Sequence, residues 1–254
     1  MSSSLAIGID IGGTGIKGAI VDLDKGELVS ERVKVPTPEG GKPDDIVADV
    51  VKMIDGFGPA AMGLPVGVCF PAIILDGCTM SAANVSKKWV GLEAEKLFEK
   101  ALKRDIVFIN DADAAAVAEA RYGAAKGVHG LVILSTLGTG IGSGLLFNGV
   151  LIPNAELGHL EIDGKDAESR AAYSAKERED LSWKDWAKRL QRYYETLDFL
   201  FSPELILVGG GVSKEYQEFL PLLKLRPRIV PAALRNNAGI LGAAWTTQTS
   251  HASR

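Results

Sequence analysis

Leu5, Ile7, Ile9 and Ile11 alternate with Ala6, Gly8 and Asp10, the period-two pattern of a half-buried strand. Gly12-Gly13-Thr14-Gly15 then turns the chain, and residues 16–23 read as a strand returning beside the first. Residues 27–35 read as a third strand, closed by Pro36 and Pro38. The pattern predicts a helix over 44–55, short strands over 66–70 and 72–75, a helix over 92–102 and a strand over 106–109. Asn110-Asp111 falls where that last strand meets an Ala-rich helix, 112–125.

A second pass then begins. Residues 131–135 read as a strand, Gly138-Thr139-Gly140 as a turn and 141–147 as a returning strand. Gly-Thr-Gly-Ile stands at 13–16 and again at 138–141, half the chain apart, each time between two strand-like runs. That shared context favours an internal duplication over a chance match of glycine-rich turns. Across 181–201, Trp183, Trp186, Leu190, Tyr193, Leu197 and Leu200 step by three and four, the stripe of a helix packed on a core. Pro203 closes it, a strand over 204–208 leads into Gly209-Gly210-Gly211, and a last helix over 232–245 is interrupted by Gly239 and Gly242. The small polar tail after Thr246 is expected to fray. Strands alternating with helices in two similar halves predict an α/β protein of two lobes with a central cleft.

Composition narrows the class without choosing a function. At 254 residues, 46% hydrophobic and 24% charged, the chain can bury a sizeable core, and disordered or collagen-like readings fall away. Twenty-eight basic against 32 acidic residues leave a net charge of −4, so bulk attraction to nucleic acid or to a membrane surface has no support. Cys69 and Cys78 are too few for a disulfide scaffold or a four-cysteine zinc site. Without a secretion signal or a long apolar run, a cytoplasmic protein is expected.

Three glycine-rich turns follow strands: Gly12–Gly15, Gly138–Gly142 and Gly209–Gly211. Glycine lets backbone N–H groups approach a phosphate closely, with Thr14 and Thr139 hydroxyls and the Lys17 charge available beside them. The same residues would serve equally as plain hairpin turns. None of the three reads as a P-loop or a dinucleotide fingerprint. Asp10 and Asp111 each end a predicted strand, where open α/β sheets hold their ligands; either suits Mg²⁺, a general base or a helix cap. Glu156-Leu157-Gly158-His159, with Glu161 and Asp163 beyond, places a carboxylate and an imidazole three residues apart. A metal, a polyol or solvent alone would satisfy that pair.

Asp10-Ile11-Gly12-Gly13-Thr14-x-x-Lys17, Asn110-Asp111-Ala112-x-Ala114-Ala115, Leu137-Gly138-Thr139-Gly140-Ile141-Gly142 and Glu156-Leu157-Gly158-His159 stand in this order along the chain. Together they resemble the ROK family of sugar kinases, of the actin/hexokinase/Hsp70 superfamily. The resemblance runs from Leu5 to about Trp245 and implies a duplicated, ribonuclease H-like fold. Its lobes would be 1–110, closed by a helix over 232–247, and 111–231. It implies Asp111 as the base that takes the proton of the sugar 6-hydroxyl. Asn84, Asn110, Glu156, His159 and Glu168 would bind the sugar, and Asn84 lies in Ala83-Asn84-Val85-x-x-x-Trp89. Gly12, Gly13, Thr14, Gly15 and Lys17, with Gly138, Thr139 and Gly140, would hold phosphate; Asp10 would lie near Mg²⁺, and Gly209, Gly210 and Gly211 near adenosine.

The resemblance has one departure. Many ROK members continue past E-x-G-H into a cysteine-rich zinc motif, but 160–168 holds no cysteine, so no zinc is expected. The short length, this stretch and Asp180-Leu181-Ser182-Trp183 are similar to the branch that phosphorylates glucose from inorganic polyphosphate and often from ATP. Closely similar proteins also accept mannose. A homodimer is expected by analogy. Charge does not identify the donor: 165–192 holds eight basic and six acidic residues and 214–235 five and two. The rival readings are an ATP-only hexose or N-acetylhexosamine kinase, a sugar-responsive ROK regulator and an actin-like ATPase. A regulator would carry a helix-turn-helix before the first strand, which here starts at Leu5; the sugar set argues against the ATPase.

Overall fold

A computed structural model of the chain describes residues 4–250. It divides into two compact units: the described residues through Ala118 together with those from Asn237 onward, and Glu119–Asn236. The sequence predicts the boundary at 110, whereas the first turns of helix Asp111–Tyr122 stay with the first unit. Close packing explains this. A side chain at Gly242, on the closing helix, would put its Cβ 1.8 Å from the Ala114 carbonyl oxygen.

In the first unit the strand order is Glu27–Leu28, Ile16–Asp22, Leu5–Ile11, Val66–Phe70 and Ile106–Asn110, with Val33–Val35 also pairing with Ile16–Asp22. The opening hairpin is antiparallel and in register, Ile11 facing Ile16, and the next two pairings are parallel, Asp10 beside Cys69 and Phe70 beside Asn110. Alternation decides the faces. Ile7, Ile9 and Ile11 join Val66, Val68 and Phe70 in a core with residues of helices Pro43–Gly56 and Ala94–Leu102. Gly8 and Gly67 meet the closing helix instead, where added Cβ atoms would lie 2.0 Å from Ile240 O and 1.8 Å from Ala243 O.

The expected third strand, 27–35, is two short pieces because the Ser30 hydroxyl takes the Ile20 amide at 2.9 Å and so interrupts the backbone ladder. The closing helix runs unbroken over Ala238–Ser250. Gly239 and Gly242 are therefore points of close approach and not breaks. Nor does the chain fray at Thr246: Thr246 and Thr247 are buried and donate to the carbonyls of Ala243 and Ala244. Residues 251–254 lie outside the described region.

The second unit repeats the plan, with order Val150–Ile152, Ile141–Phe147, Leu131–Leu137, Leu205–Gly209 and Arg228–Pro231. Its hairpin is antiparallel with Leu137 facing Ile141, and its later strands are parallel, as in the first unit. Each copy of Gly-Thr-Gly-Ile thus occupies the same hairpin. Helix Trp183–Phe201 is capped by Ser182, which takes the Asp185 amide, and buries Trp186, Leu190, Tyr193 and Leu197. The stripe is a turn shorter than predicted: Leu200 is 53% exposed, and Ser202 ends the helix in the left-handed region. Among the described residues no helix is long and apolar enough to cross a membrane.

Candidate active-site residues

In the first unit the chemistry gathers at the C-terminal ends of parallel strands, where side chains emerge beyond the sheet. Asn110 caps the helix that follows: its Oδ1 accepts from the Ala112 and Asp113 amides at 2.8 and 3.0 Å, and its Nδ2 donates to Ala72 O at 3.0 Å. The cap function weighed for Asp111 therefore belongs to its neighbour. Asp111 lies in the first helical turn with Oδ1 accepting from Ala112 N at 2.8 Å.

Asp10 ends its strand in an ion pair with Lys17, Nζ to Oδ2 2.8 Å, directly across the hairpin register. The two residues expected at a metal ion and at a phosphate are here partners of each other. Between the strands of Asp10 and Asn110 lies buried Cys69, whose thiol donates to Asp10 Oδ1 at 3.7 Å. Burial, reinforced by the Asp10 and Asp111 charges, pushes this thiol well above its ordinary range and keeps it protonated.

The turn Gly12–Gly15 is closed by Gly12 N donating to Gly15 O, and Thr37 Oγ1 donates to Gly12 O at 2.5 Å. Its glycines do not need positive φ. Gly13 is required by contact: a Cβ there would sit 2.7 Å from that of Asn84. Asn84 is held at φ +60° on a loop pinned by buried Trp89, whose Nε1 donates to Gly41 O at 2.8 Å. Gly13, Thr37, Glu39, Gly41 and Asn84 help line a cavity of about 330 Å³.

In the second unit, strand Ile141–Phe147 positions the Glu156–His159 turn. Ser143, 2% exposed, donates to Ala155 O at 2.7 Å and accepts from Leu157 N at 2.8 Å. Gly158 lets the turn touch the strand, since a Cβ there would be 2.2 Å from Ile141 O. Burial raises the Glu156 carboxyl above its usual range. His159 Nδ1 is 2.9 Å from Asp166 Oδ2 and 4.0 Å from Glu168 Oε1, and the ring is held above the ordinary imidazole value, chiefly by Asp166.

Glu168 Oε2 accepts from Ile141 N at 3.0 Å and would clash with any Cβ at Gly140. This ties the expected sugar ligand to the Gly138–Thr139–Gly140 turn. Ser174 holds the same turn from its other side, amide to Gly138 O at 3.0 Å and hydroxyl to Thr139 O at 2.6 Å. Gly210, at φ +83°, lies against Leu137 at the base of that turn. His159, Asp166 and Glu168 place three ligand-type atoms within 4.8 Å of one another, as a metal ion would need. Asp166 and Glu168 each accept from a backbone amide, and His159 pairs with Asp166, so the three are joined in a hydrogen-bonded network.

The sequence profile of the ROK family matches residues 6–173. The chain belongs to the ROK family. A polyphosphate glucokinase from Mycobacterium tuberculosis is 45% identical over 247 residues, covering 96% of this chain and 92% of that one. The crystal structure of an inorganic polyphosphate/ATP-glucomannokinase from Arthrobacter sp. strain KM superposes with a TM-score of 0.94 at 54% identity, over 98% of this chain and all of the other. A ROK family glucokinase from Streptomyces griseus, solved with glucose and AMPPNP, gives a TM-score of 0.81 at 26% identity, over 96% and 99%. The duplicated two-lobed ROK kinase fold expected from the motifs is the fold of this chain.

The ROK match spans every assigned residue except Gly209, Gly210 and Gly211. Four residues that hold the site went unassigned: Thr37, Ser143, Asp166 and Ser174. Three are small hydroxyl residues whose partners are distant in sequence, and nothing local marks them. Asp166 did leave a signal, because Asp163-Gly164 is a two-residue hairpin turn that folds it back beside Glu161.

Proposed function

We propose that this ROK protein moves the terminal phosphoryl group of inorganic polyphosphate, or of ATP, to the 6-hydroxyl of glucose, with mannose as a second acceptor. The observation that carries the reading is similarity over nearly the whole chain to a polyphosphate glucokinase and a polyphosphate/ATP-glucomannokinase. Asp111 takes the hydroxyl proton as the oxygen attacks phosphorus. Asn84, Asn110, Glu156, His159 and Glu168 bind sugar hydroxyls; after capping its helix, Asn110 retains one amide hydrogen for this.

Phosphoryl transfer asks mainly for positioning and charge neutralisation. The exposed tips of the two turns, Thr14 and Thr139, receive the phosphates, Lys17 adds positive charge, and Gly209–Gly211 serve the nucleoside when ATP is the donor. Asp10 suits Mg²⁺, which commonly takes one carboxylate alongside substrate phosphates and water: Lys17 occupies Oδ2, and among the described residues Oδ1 has only the long thiol contact. Bound there, Mg²⁺ would spread the charge of the transferring group. The set works without zinc, and stoichiometric zinc in the purified protein would overturn that part. The unpaired cysteines, Cys69 and Cys78, support a reducing, cytoplasmic setting.

The test is the product. Glucose, polyphosphate, Mg²⁺ and the protein, followed by phosphorus NMR, should yield glucose 6-phosphate. A 1-phosphate, or free phosphate alone, would overturn the reading.

A further inference from the structure

Asp166 belongs to none of the expected ligand sets, yet the fold brings it to one of their members. Strands Glu161–Ile162 and Lys165–Asp166 pair with Glu161 opposite Asp166. The turn between them, Asp163-Gly164, has both residues at positive φ, the backbone of a tight two-residue hairpin. Arg192, on helix Trp183–Phe201, clamps that turn with two bonds to the Asp163 carboxylate at 2.8 and 3.0 Å. At the hairpin's end, Asp166 divides its oxygens: Oδ1 caps helix Ala167–Ala171 through the Ser169 amide at 3.1 Å, and Oδ2 lies 2.9 Å from His159 Nδ1.

A carboxylate on Nδ1 makes that nitrogen the N–H donor, and the ring's other nitrogen, Nε2, is then the atom left for a ligand. A half-exposed imidazole on a short turn otherwise has two tautomers and free ring rotation to lose on binding. We propose that Asp166 is a positioning residue for the sugar acceptor: it fixes the His159 ring and its Nδ1–H tautomer so that Nε2 meets a sugar hydroxyl. This rests on the reading of His159 as a sugar ligand. The other charged groups around the ring are Glu168 and Glu156. Both favour the protonated imidazole, but Asp166 is the largest contributor to its raised value.

The experiment is a cycle of Asp166→Ala, His159→Ala and the double variant, read by glucose KM and kcat, with NMR titration of the His159 ring in the full chain. Asp166→Ala is expected to raise glucose KM about ten-fold while kcat stays within about three-fold. In the His159→Ala background the same change should move KM less than about two-fold. Asp166→Asn has one acceptor oxygen where Asp166 uses two, so it can serve the ring or the helix cap but not both, and its KM should lie between those of the parent and of Asp166→Ala. The His159 midpoint should fall, because the negative charge is gone.

An unchanged His159 midpoint in Asp166→Asn would overturn the proposal, and this variant decides the matter if Asp166→Ala does not fold. A full ten-fold KM effect persisting without His159 would also overturn it, since Asp166 would then act through its helix cap alone. If His159→Ala itself leaves glucose KM unchanged, the sugar role of His159 fails and the proposal falls with it. Harm from His159→Ala with none from Asp166→Ala sinks the positioning role alone.

Discussion

Replacing Ser143 by Ala removes one oxygen from the interior of the second unit. That oxygen serves two partners, the carbonyl of half-buried Ala155 and the buried amide of Leu157, at 2.7 and 2.8 Å. These residues flank Glu156 and lead directly into His159. Leaving a buried polar group unpaired costs about 1–3 kcal/mol, and half-buried Ala155 stands at the low end, so the pair amounts to about 2–4 kcal/mol. For a chain of this size the midpoint of thermal unfolding should fall about 5–15 °C.

Function should suffer selectively. A loosened turn misplaces the two proposed sugar ligands and leaves the proposed phosphate turns alone, so glucose KM should rise about five- to ten-fold while polyphosphate KM moves less than about two-fold. Differential scanning calorimetry and steady-state kinetics on one preparation give both numbers. An unfolding midpoint within about 2 °C of the parent, together with an unchanged glucose KM, would refute the argument that this hydroxyl holds the sugar turn.

Asp111→Ala should lower kcat about 10²–10⁴-fold while glucose binding remains measurable by calorimetry; retained turnover would remove Asp111 as the base. Gly67→Ala should cost about 3 kcal/mol or more, because its Cβ would lie 1.8 Å from a backbone oxygen of the closing helix. Gly56→Ala, with nothing within 4 Å, should leave the melting temperature unchanged or slightly raised. Burial raises the Glu156 carboxyl, so the residue keeps its proton to a higher pH than an ordinary glutamate. Glucose affinity should therefore weaken as pH falls through that raised value, and Glu156→Gln should flatten this limb of the KM profile.

Periodicity revealed the parts of the fold that it alone determines. The Leu5–Ile11 strand, the twin glycine hairpins and the run Trp186, Leu190, Tyr193 and Leu197 form where their spacing predicts. Leu5–Ile11, however, buries Ala6 and Gly8 as well and so is covered on both faces, not half-buried. The misses lie where a side chain or a glycine does something that spacing cannot express. Ser30 replaces a ladder bond, Gly239 and Gly242 allow contact inside a helix, and Thr246 and Thr247 satisfy their hydroxyls within it. At the site, residue type made Asp111 a candidate but could not show that Asn110 does the capping. It likewise put Lys17 beside a phosphate loop without showing that the register of the hairpin pairs it with Asp10. The supporting groups, Ser143, Ser174 and Asp166, act through contacts made only in the folded chain.

The most direct test of the central claim is the rate of glucose 6-phosphate formation with Mg²⁺, comparing inorganic polyphosphate and ATP at matched terminal-phosphate concentration. Turnover with polyphosphate, accompanied by turnover with ATP, is the predicted result. Turnover with ATP alone would contradict the polyphosphate assignment while keeping the kinase, and no glucose 6-phosphate from either donor would contradict the account as a whole.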